Sequence, residues 1–224
     1  MSVFVKVCGT TSEEDALLSV AMGADALGFI FAPSPRQVRP SLVADIVKRV
    51  PPEILTIGVF RDESVERVAE IVNVTGLVGA QLHGNEPPAA VKALAESVRF
   101  VIKGFPAGSP EVREADLYDA DAVLIDAPNP GSGRLFDWSL AAEVPDGVRL
   151  ILAGGLRPDN VTDAIAAVQP WAVDVATGVE SSPGKKDARK LRAFVASAKT
   201  APLARAVPGA RAAPERPYDW RTDT

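Results

Sequence analysis

Short runs of apolar, mostly β-branched residues recur along the chain, with longer amphipathic segments between them. Each run begins 20 to 29 residues after the start of the previous one. Because apolar residues fill the runs without alternating, the runs are typical of strands buried on both faces, as in parallel sheets. The spacing leaves room for one helix and two short loops after each strand. The runs are residues 3–8, 26–31, 55–60, 79–82, 99–103, 122–125, 149–153 and 172–175.

The intervening segments carry helix start signals. Ser12 is followed by three acidic residues, which suit the first turn of a helix because the helix dipole favours negative charge there. Further candidate starts are Ser41, Ser64, Asn160 and Glu86-Pro87. Proline in the last of these is expected at the first helical position. The segments after Ser109 and Asp137 have weaker signals and predict only a turn or two.

Eight strand-helix units within about 200 residues predict a single-domain (β/α)₈ barrel over residues 1–200. A doubly wound open sheet is the alternative, but eight equal units close more naturally into a barrel. Residues 201–224 hold four prolines, six alanines and four arginines, and predict a flexible tail.

Composition excludes several classes of function. The chain has one cysteine and one histidine, so it can form no intramolecular disulfide and no zinc site built on these ligands. The net charge of −5 argues against nucleic acid as a partner, since phosphate binding needs a basic surface. The apolar runs are strand-sized and predict no membrane span. We therefore expect a cytoplasmic protein with neither metal nor nucleic acid.

Reactive side chains followed by glycine cluster where the predicted strands end. In a (β/α)₈ barrel the carboxyl ends of all strands meet at one face, and that face carries the active site. The strand ends are Cys8-Gly9, Phe31, Phe60, His83-Gly84, Lys103-Gly104, Asp126, Gly154-Gly155 and Thr177-Gly178.

Six ordered motifs resemble the phosphoribosylanthranilate isomerase family of tryptophan biosynthesis. The resemblance covers residues 3–199 and implies a barrel enzyme without metal or cofactor, which rearranges a phosphosugar by an Amadori reaction. The motifs are Lys6-Val7-Cys8-Gly9-Thr10-Thr11, Ser34-Pro35-Arg36, Gln81-Leu82-His83-Gly84, Phe136-Asp137-Trp138, Leu152-Ala153-Gly154-Gly155-Leu156 and Val173-Asp174-Val175 with Gly178-Val179-Glu180.

The resemblance assigns Cys8 as general base and Asp126 as general acid. A free thiol titrates near ~8.5 and a free aspartate near ~3.9, so each role requires a shifted pKa. We expect desolvation by the ligand to raise the pKa of Asp126 and a nearby cation to lower that of Cys8. Strand alternation puts Lys6 on the same face as Cys8, and we expect Lys6 to tune the thiol while paired with Asp174.

Substrate-binding candidates surround these two residues. The backbones of Gly154, Gly155, Thr177 and Gly178 are expected to bind the phosphate, together with the N-terminus of a short helix. Arg36 is the candidate for the anthranilate carboxylate.

Other candidates have a structural alternative. His83 and Asp174 are further binding candidates, although a structural hydrogen bond and a structural ion pair remain open for them. For Lys103 the alternative is a structural pairing with an acid.

The pattern departs from the family after Asp126, where Pro130 replaces the first of several glycines, so a stiffer and shorter loop is expected.

Two other functions stay open. One is a related isomerase of the histidine pathway, although that chemistry uses aspartate where Cys8 stands and needs two phosphate sites. The other is a binding protein that retains the phosphate loops without turnover. The chain is expected to be a monomer or a homodimer.

Overall fold

The computed structural model describes residues 2–128 and 136–203. Eight parallel strands pair in chain order, and the eighth pairs with the first, so the sheet closes into a (β/α)₈ barrel. The predicted fold is confirmed, and the open-sheet alternative is wrong. The strands are β1 (Phe4–Val7), β2 (Ala26–Ile30), β3 (Leu55–Phe60), β4 (Gly79–Leu82), β5 (Phe100–Pro106), β6 (Ala122–Asp126), β7 (Leu150–Leu152) and β8 (Ala172–Val175).

In the part of the chain that the structure describes, six α-helices and three 3₁₀ segments lie between and after the strands, and most begin where the sequence indicates. Ser12 and Ser64 cap their helices by accepting from the backbone N–H of Asp15 and Arg67. The segment after Asp137 is a 3₁₀ segment of two turns, as expected, whereas the one after Ser109 extends over nine residues with a kink at Glu114. The helices are α1 (Glu13–Ala21), α2 (Pro40–Val47), α3 (Val65–Thr75), α4 (Pro88–Ala95), α5 (Val161–Val168) and α6 (Ala188–Thr200); the 3₁₀ segments are Pro110–Tyr118, Trp138–Glu143 and Thr177–Val179.

Two helices begin one or two residues away from the predicted position, and in both a proline is the first helical residue. Ser41 is not a cap, because α2 already begins at Pro40, whose fixed φ suits the first helical turn. Likewise α4 opens at Pro88, and Pro87 stands at the cap position. Asn160 does precede α5, but its side chain makes no cap hydrogen bond.

The core has two layers. One fills the barrel interior with residues such as Ile57, Ile102 and Leu124, and the other lies between the strands and the helices. Stacked Phe4 and Trp171, with ring centroids 4.9 Å apart, pack against the interior cluster where their strands begin. Polar side chains buried in the strands are therefore exceptions, and they are Lys6, Thr56, Gln81, Lys103 and Asp174.

A two-stranded hairpin follows the barrel, formed by β9 (Glu180–Ser182) and β10 (Lys185–Lys186). No helix within residues 2–128 and 136–203 is long and apolar enough to cross a membrane. Two predictions fall outside these residues: the stiffened loop containing Pro130, and most of the tail over 201–224.

Candidate active site

Cys8 and Asp126 lie at the same face of the barrel, where the carboxyl ends of the strands meet. Cys8 follows β1, and Asp126 is the last residue of β6, so only β7 and β8 separate their strands. Cys8 is 6% exposed and buried, and the Asp126 side chain is 13% exposed. The closed barrel therefore brings together two reactive groups that are 118 positions apart in the chain.

Asp126 is surrounded by groups that leave one of its oxygens available. Oδ1 accepts from the N–H of Ala127 at 2.7 Å, and Oδ2 lies 3.6 Å from Nε2 of His83. Burial raises the pKa of Asp126 to about 6, and the nearby charge of Asp174 adds to this rise. The expected direction is right, but the barrel itself supplies the desolvation before any ligand is bound.

Cys8 departs from the expectation. Burial is the largest influence and raises the pKa of the thiol, while the charges of Lys6 and Lys186 act in the opposite direction. The prediction that a neighbouring cation lowers the pKa below its ordinary value is wrong in its net direction. The cation is present, but desolvation of the thiolate outweighs it.

Lys6 and Asp174 form the predicted buried pair. They are register partners on β1 and β8, and Nζ of Lys6 donates to Oδ1 of Asp174 at 3.0 Å. Burial acts to lower the pKa of Lys6, but attraction to Asp174 opposes it and the net pKa is raised, so Lys6 stays charged. The predicted structural pairing of Lys103 is present too, since its Nζ lies 2.7 Å from Oε2 of Glu86.

Arg36 is bound within the protein and not extended into an open site. Its Nε and Nη2 donate to both carboxylate oxygens of Glu180 at 2.7 to 3.1 Å, and Nη2 also donates to Oγ1 of Thr177. Nη1 is not among these donors. The fork of donors thus fixes the guanidinium in one orientation.

A cavity of about 350 Å³ lies where the loops after β7 and β8 meet. Gly154 and Gly155 both have positive φ, and a Cβ on Gly178 would collide with the carbonyl oxygen of Leu156, so the two loops pack backbone to backbone. Of the four predicted phosphate residues, Gly155, Thr177 and Gly178 line this cavity. Its walls are Gly155, Leu156, Arg157, Pro158, Asp159, Thr177, Gly178 and Lys190.

His83 contacts the site from the end of β4. Its Nδ1 lies 2.8 Å from Nε2 of Gln81, and burial with the charges of Lys6 and Lys103 lowers its pKa to about 4. The imidazole is therefore neutral at physiological pH. In the residues that the structure describes, no group of three or more His, Cys, Asp and Glu is arranged to hold a metal ion.

Comparison with known proteins identifies the family. A sequence model for N-(5'-phosphoribosyl)anthranilate isomerase matches residues 5–197. The chain belongs to this family. A member from Desulforudis audaxviator is 45% identical over 204 residues, covering 88% of this chain and 98% of that protein.

Solved isomerase structures share the barrel. The enzyme from Thermus thermophilus superposes with a TM-score of 0.83 at 42% identity, covering 87% of this chain and 98% of its own. A second isomerase structure, a complex with reduced 1-(o-carboxyphenylamino)-1-deoxyribulose 5-phosphate, has a TM-score of 0.77 at 38% identity and covers 88% and 98%.

Three charged residues near this isomerase site were missed from the sequence. Glu180 holds Arg36, and Lys186 donates from Nζ to the Cys8 carbonyl at 2.6 Å and to Glu180 at 3.1 Å. Lys190 lines the cavity. Glu180 belongs to the motif Gly178-Val179-Glu180 and could have been suspected as the counter-charge of an arginine. In the sequence alone, Lys186 and Lys190 resemble ordinary surface lysines.

Proposed function

We propose that Asp126 and Cys8 are the acid and base of an isomerase that converts N-(5-phosphoribosyl)anthranilate to 1-(2-carboxyphenylamino)-1-deoxyribulose 5-phosphate. The observation that carries this assignment is the pairing, at one barrel face, of a buried carboxyl group whose pKa is about 6 with a buried thiol beside a lysine. A carboxyl group with this pKa retains a proton near neutrality far more often than an ordinary aspartate does.

The reaction begins with two proton transfers by the enzyme and ends with a tautomerisation. Asp126 gives its proton to the ring oxygen of the furanose, the bond from C1 to that oxygen breaks, and the nitrogen lone pair forms an iminium. The Cys8 thiolate then takes the proton from C2, which yields an enolamine. Tautomerisation of the enolamine gives the ketone, so the sugar is rearranged without external oxidant or reductant.

The remaining residues orient the two ends of the substrate. The cavity between the loops after β7 and β8 accommodates the phosphate, with backbone N–H groups and Lys190 as donors. Arg36 binds the anthranilate carboxylate with donors that Glu180 leaves available. Local charge must achieve this attraction, because the chain as a whole carries −5.

Loss of the fluorescent anthranilate substrate tests the assignment. Cys8→Ser and Asp126→Asn are each expected to lower kcat by at least ~10², the usual scale of general acid-base catalysis. The exposed Asp163→Asn on α5 is the matched control and should keep full activity. Activity that survives in both site variants would refute the roles, and a wild-type protein that binds the substrate without turnover would indicate a binding protein.

Cytoplasmic location and oligomeric state are predictions from the sequence. We propose a cytoplasmic enzyme that acts as a monomer or a homodimer without a nucleic-acid partner. Light scattering during size-exclusion chromatography separates the two assemblies, because the chain has a mass of 23.5 kDa.

A further inference from the structure

Gln81, His83 and Asp126 form a line of three polar side chains across β4 and β6. Nε2 of Gln81 lies 2.8 Å from Nδ1 of His83, and Nε2 of His83 lies 3.6 Å from Oδ2 of Asp126. Gln81 is only 2% exposed, which is unusual for a glutamine. Its Oε1 makes no hydrogen bond within residues 2–128 and 136–203. The contact of its Nε2 with His83 is therefore the side-chain hydrogen bond that its amide makes there.

The imidazole ring is held in place from several sides. The N–H of His83 donates to the Phe60 carbonyl at 2.9 Å, and a Cβ on Gly104 would lie only 2.6 Å from Nδ1. Lys103 fixes the following loop by donating to the Gly84 carbonyl at 2.6 Å. A ring packed this closely keeps Nδ1 directed at Gln81 and Nε2 directed at Asp126.

The proton on the neutral ring can occupy only one of the two nitrogens. An amide N–H directed at Nδ1 requires a lone pair there, and the proton must then reside on Nε2. Besides Asp126, the charged groups that act on the ring are Lys6, Lys103, Arg61 and Glu86. Their cations disfavour a second proton, so the ring remains a neutral donor toward Asp126.

We propose that Gln81 is a positioning residue for the reaction, because its amide fixes the His83 tautomer in which Nε2–H points at the acid, Asp126. This inference rests on the proposed role of Asp126. Oδ1 is already bonded to the N–H of Ala127, so Oδ2 is the oxygen that exchanges a proton with substrate. When Oδ2 gives up its proton, the carboxylate gains charge and attracts the Nε2–H group, which lies 3.6 Å away and can then form a charge-assisted hydrogen bond.

The single histidine makes the tautomer directly measurable. Nitrogen-15 NMR of histidine-labelled protein gives one imidazole, and we expect a pyridine-type Nδ1 and a pyrrole-type Nε2. Gln81→Glu puts a carboxylate against Nδ1. An ionised carboxylate can only accept a hydrogen bond, so the ring proton should move from Nε2 to Nδ1. Gln81→Met removes the polar contact at similar size and should give a mixture of tautomers.

Kinetics should follow the tautomer. Both variants are expected to lower kcat about tenfold with little change in KM, because the N–H donor directed at the charged Asp126 carboxylate is lost while the substrate contacts remain. Loss of the donor should also raise the pKa that Asp126 contributes to the pH profile of kcat/KM. The exposed Asn73→Asp on α3 makes the same chemical change elsewhere and should alter neither readout.

Two results would overturn the proposal. A pyrrole-type Nδ1 in the wild-type protein would mean that Gln81 presents its oxygen to the ring. An unchanged tautomer together with unchanged kcat in Gln81→Met would show that Gln81 only fills space. The NMR measurement needs no turnover, so it stands apart from the Asp126→Asn assay that tests the proposed function.

Discussion

Replacing Lys6 by methionine separates the two tasks assigned to this lysine. Lys6 neutralises Asp174 inside the barrel, and it is also the strongest cationic influence that opposes the raised pKa of Cys8. Methionine matches the unbranched lysine side chain as far as its fourth atom and removes the charged amine. We expect the variant to lose stability and, separately, to hold the Cys8 thiol even more firmly in its protonated form.

The loss of stability follows from the geometry of the pair. At 3.0 Å and an effective dielectric constant of about 20, the attraction between Lys6 and Asp174 is about 5 kcal/mol. Breaking a buried pair by removing one partner costs about 3–5 kcal/mol, since the other charge is left without compensation. Urea unfolding at neutral pH should therefore show a free energy of unfolding lowered by about 3–5 kcal/mol.

A second variant isolates the effect on the thiol. Lys6→Met combined with Asp174→Leu replaces the pair by apolar groups, which is often neutral for stability and should recover most of the loss. Cys8 is the single cysteine, so thiolate absorbance or a carbon-13 label at its Cβ reports one titration. In Lys6→Met we expect that titration to move to higher pH.

The double variant removes the charge of Asp174 as well, and Asp174 itself raises the pKa of Cys8. Its thiol should therefore titrate between those of Lys6→Met and a protein with Asp174 alone replaced. If the Cys8 titration in Lys6→Met coincides with that of the wild type, Lys6 does not tune the thiol and its role is only structural.

Three further perturbations follow from the same site. A Cβ at Gly28 would lie 2.8 Å from the Cys8 sulfur, so Gly28→Ala should displace the thiol, lower kcat in steady-state assays and cost about 1–3 kcal/mol in urea unfolding. Arg36→Lys cannot reproduce the forked contact with Glu180, so KM should rise about tenfold while kcat changes less. Because burial raises the pKa of Asp126 from 3.8 to about 6, its folded form favours the proton, and this contribution to stability is lost as pH rises through 6. Asp126→Asn should therefore be more stable than wild type by about 3 kcal/mol near pH 8 and should lose that advantage below pH 4 in denaturant titrations.

The strands could be read from the sequence because burial on both faces leaves a continuous apolar signal. Residues 55–60, 79–82 and 172–175 coincide with the observed strands. The start of α2 was misplaced because serine is a preferred N-cap residue, and Ser41 directly follows Pro40, the actual first residue of the helix. Only the backbone geometry around Pro40 decides between them.

The site was predictable where a reactive residue ends a strand, and unpredictable where it depends on long-range pairing. Cys8 and Asp126 stand at the ends of apolar runs, where a reactive side chain differs visibly from the apolar residues before it. The contact of Arg36 with Glu180 joins residues 144 positions apart, and that of Lys186 with the Cys8 carbonyl joins residues 178 apart. No local pattern carries such information, nor does it show how deeply Cys8 is buried, and this burial determines the direction of the Cys8 pKa shift.

Burial of both reactive groups at one barrel face gives the resting enzyme a particular distribution of protons. Between pH 6 and the raised pKa of Cys8, the stable form is a thiol with a carboxylate, whereas the proposed reaction begins from a thiolate with a carboxylic acid. The two forms contain the same number of protons and differ only in where one of them resides, so their ratio does not change with pH in that range. This is reverse protonation, and we expect the kcat/KM profile to be a broad plateau whose acidic limb reports Asp126 and whose basic limb reports Cys8.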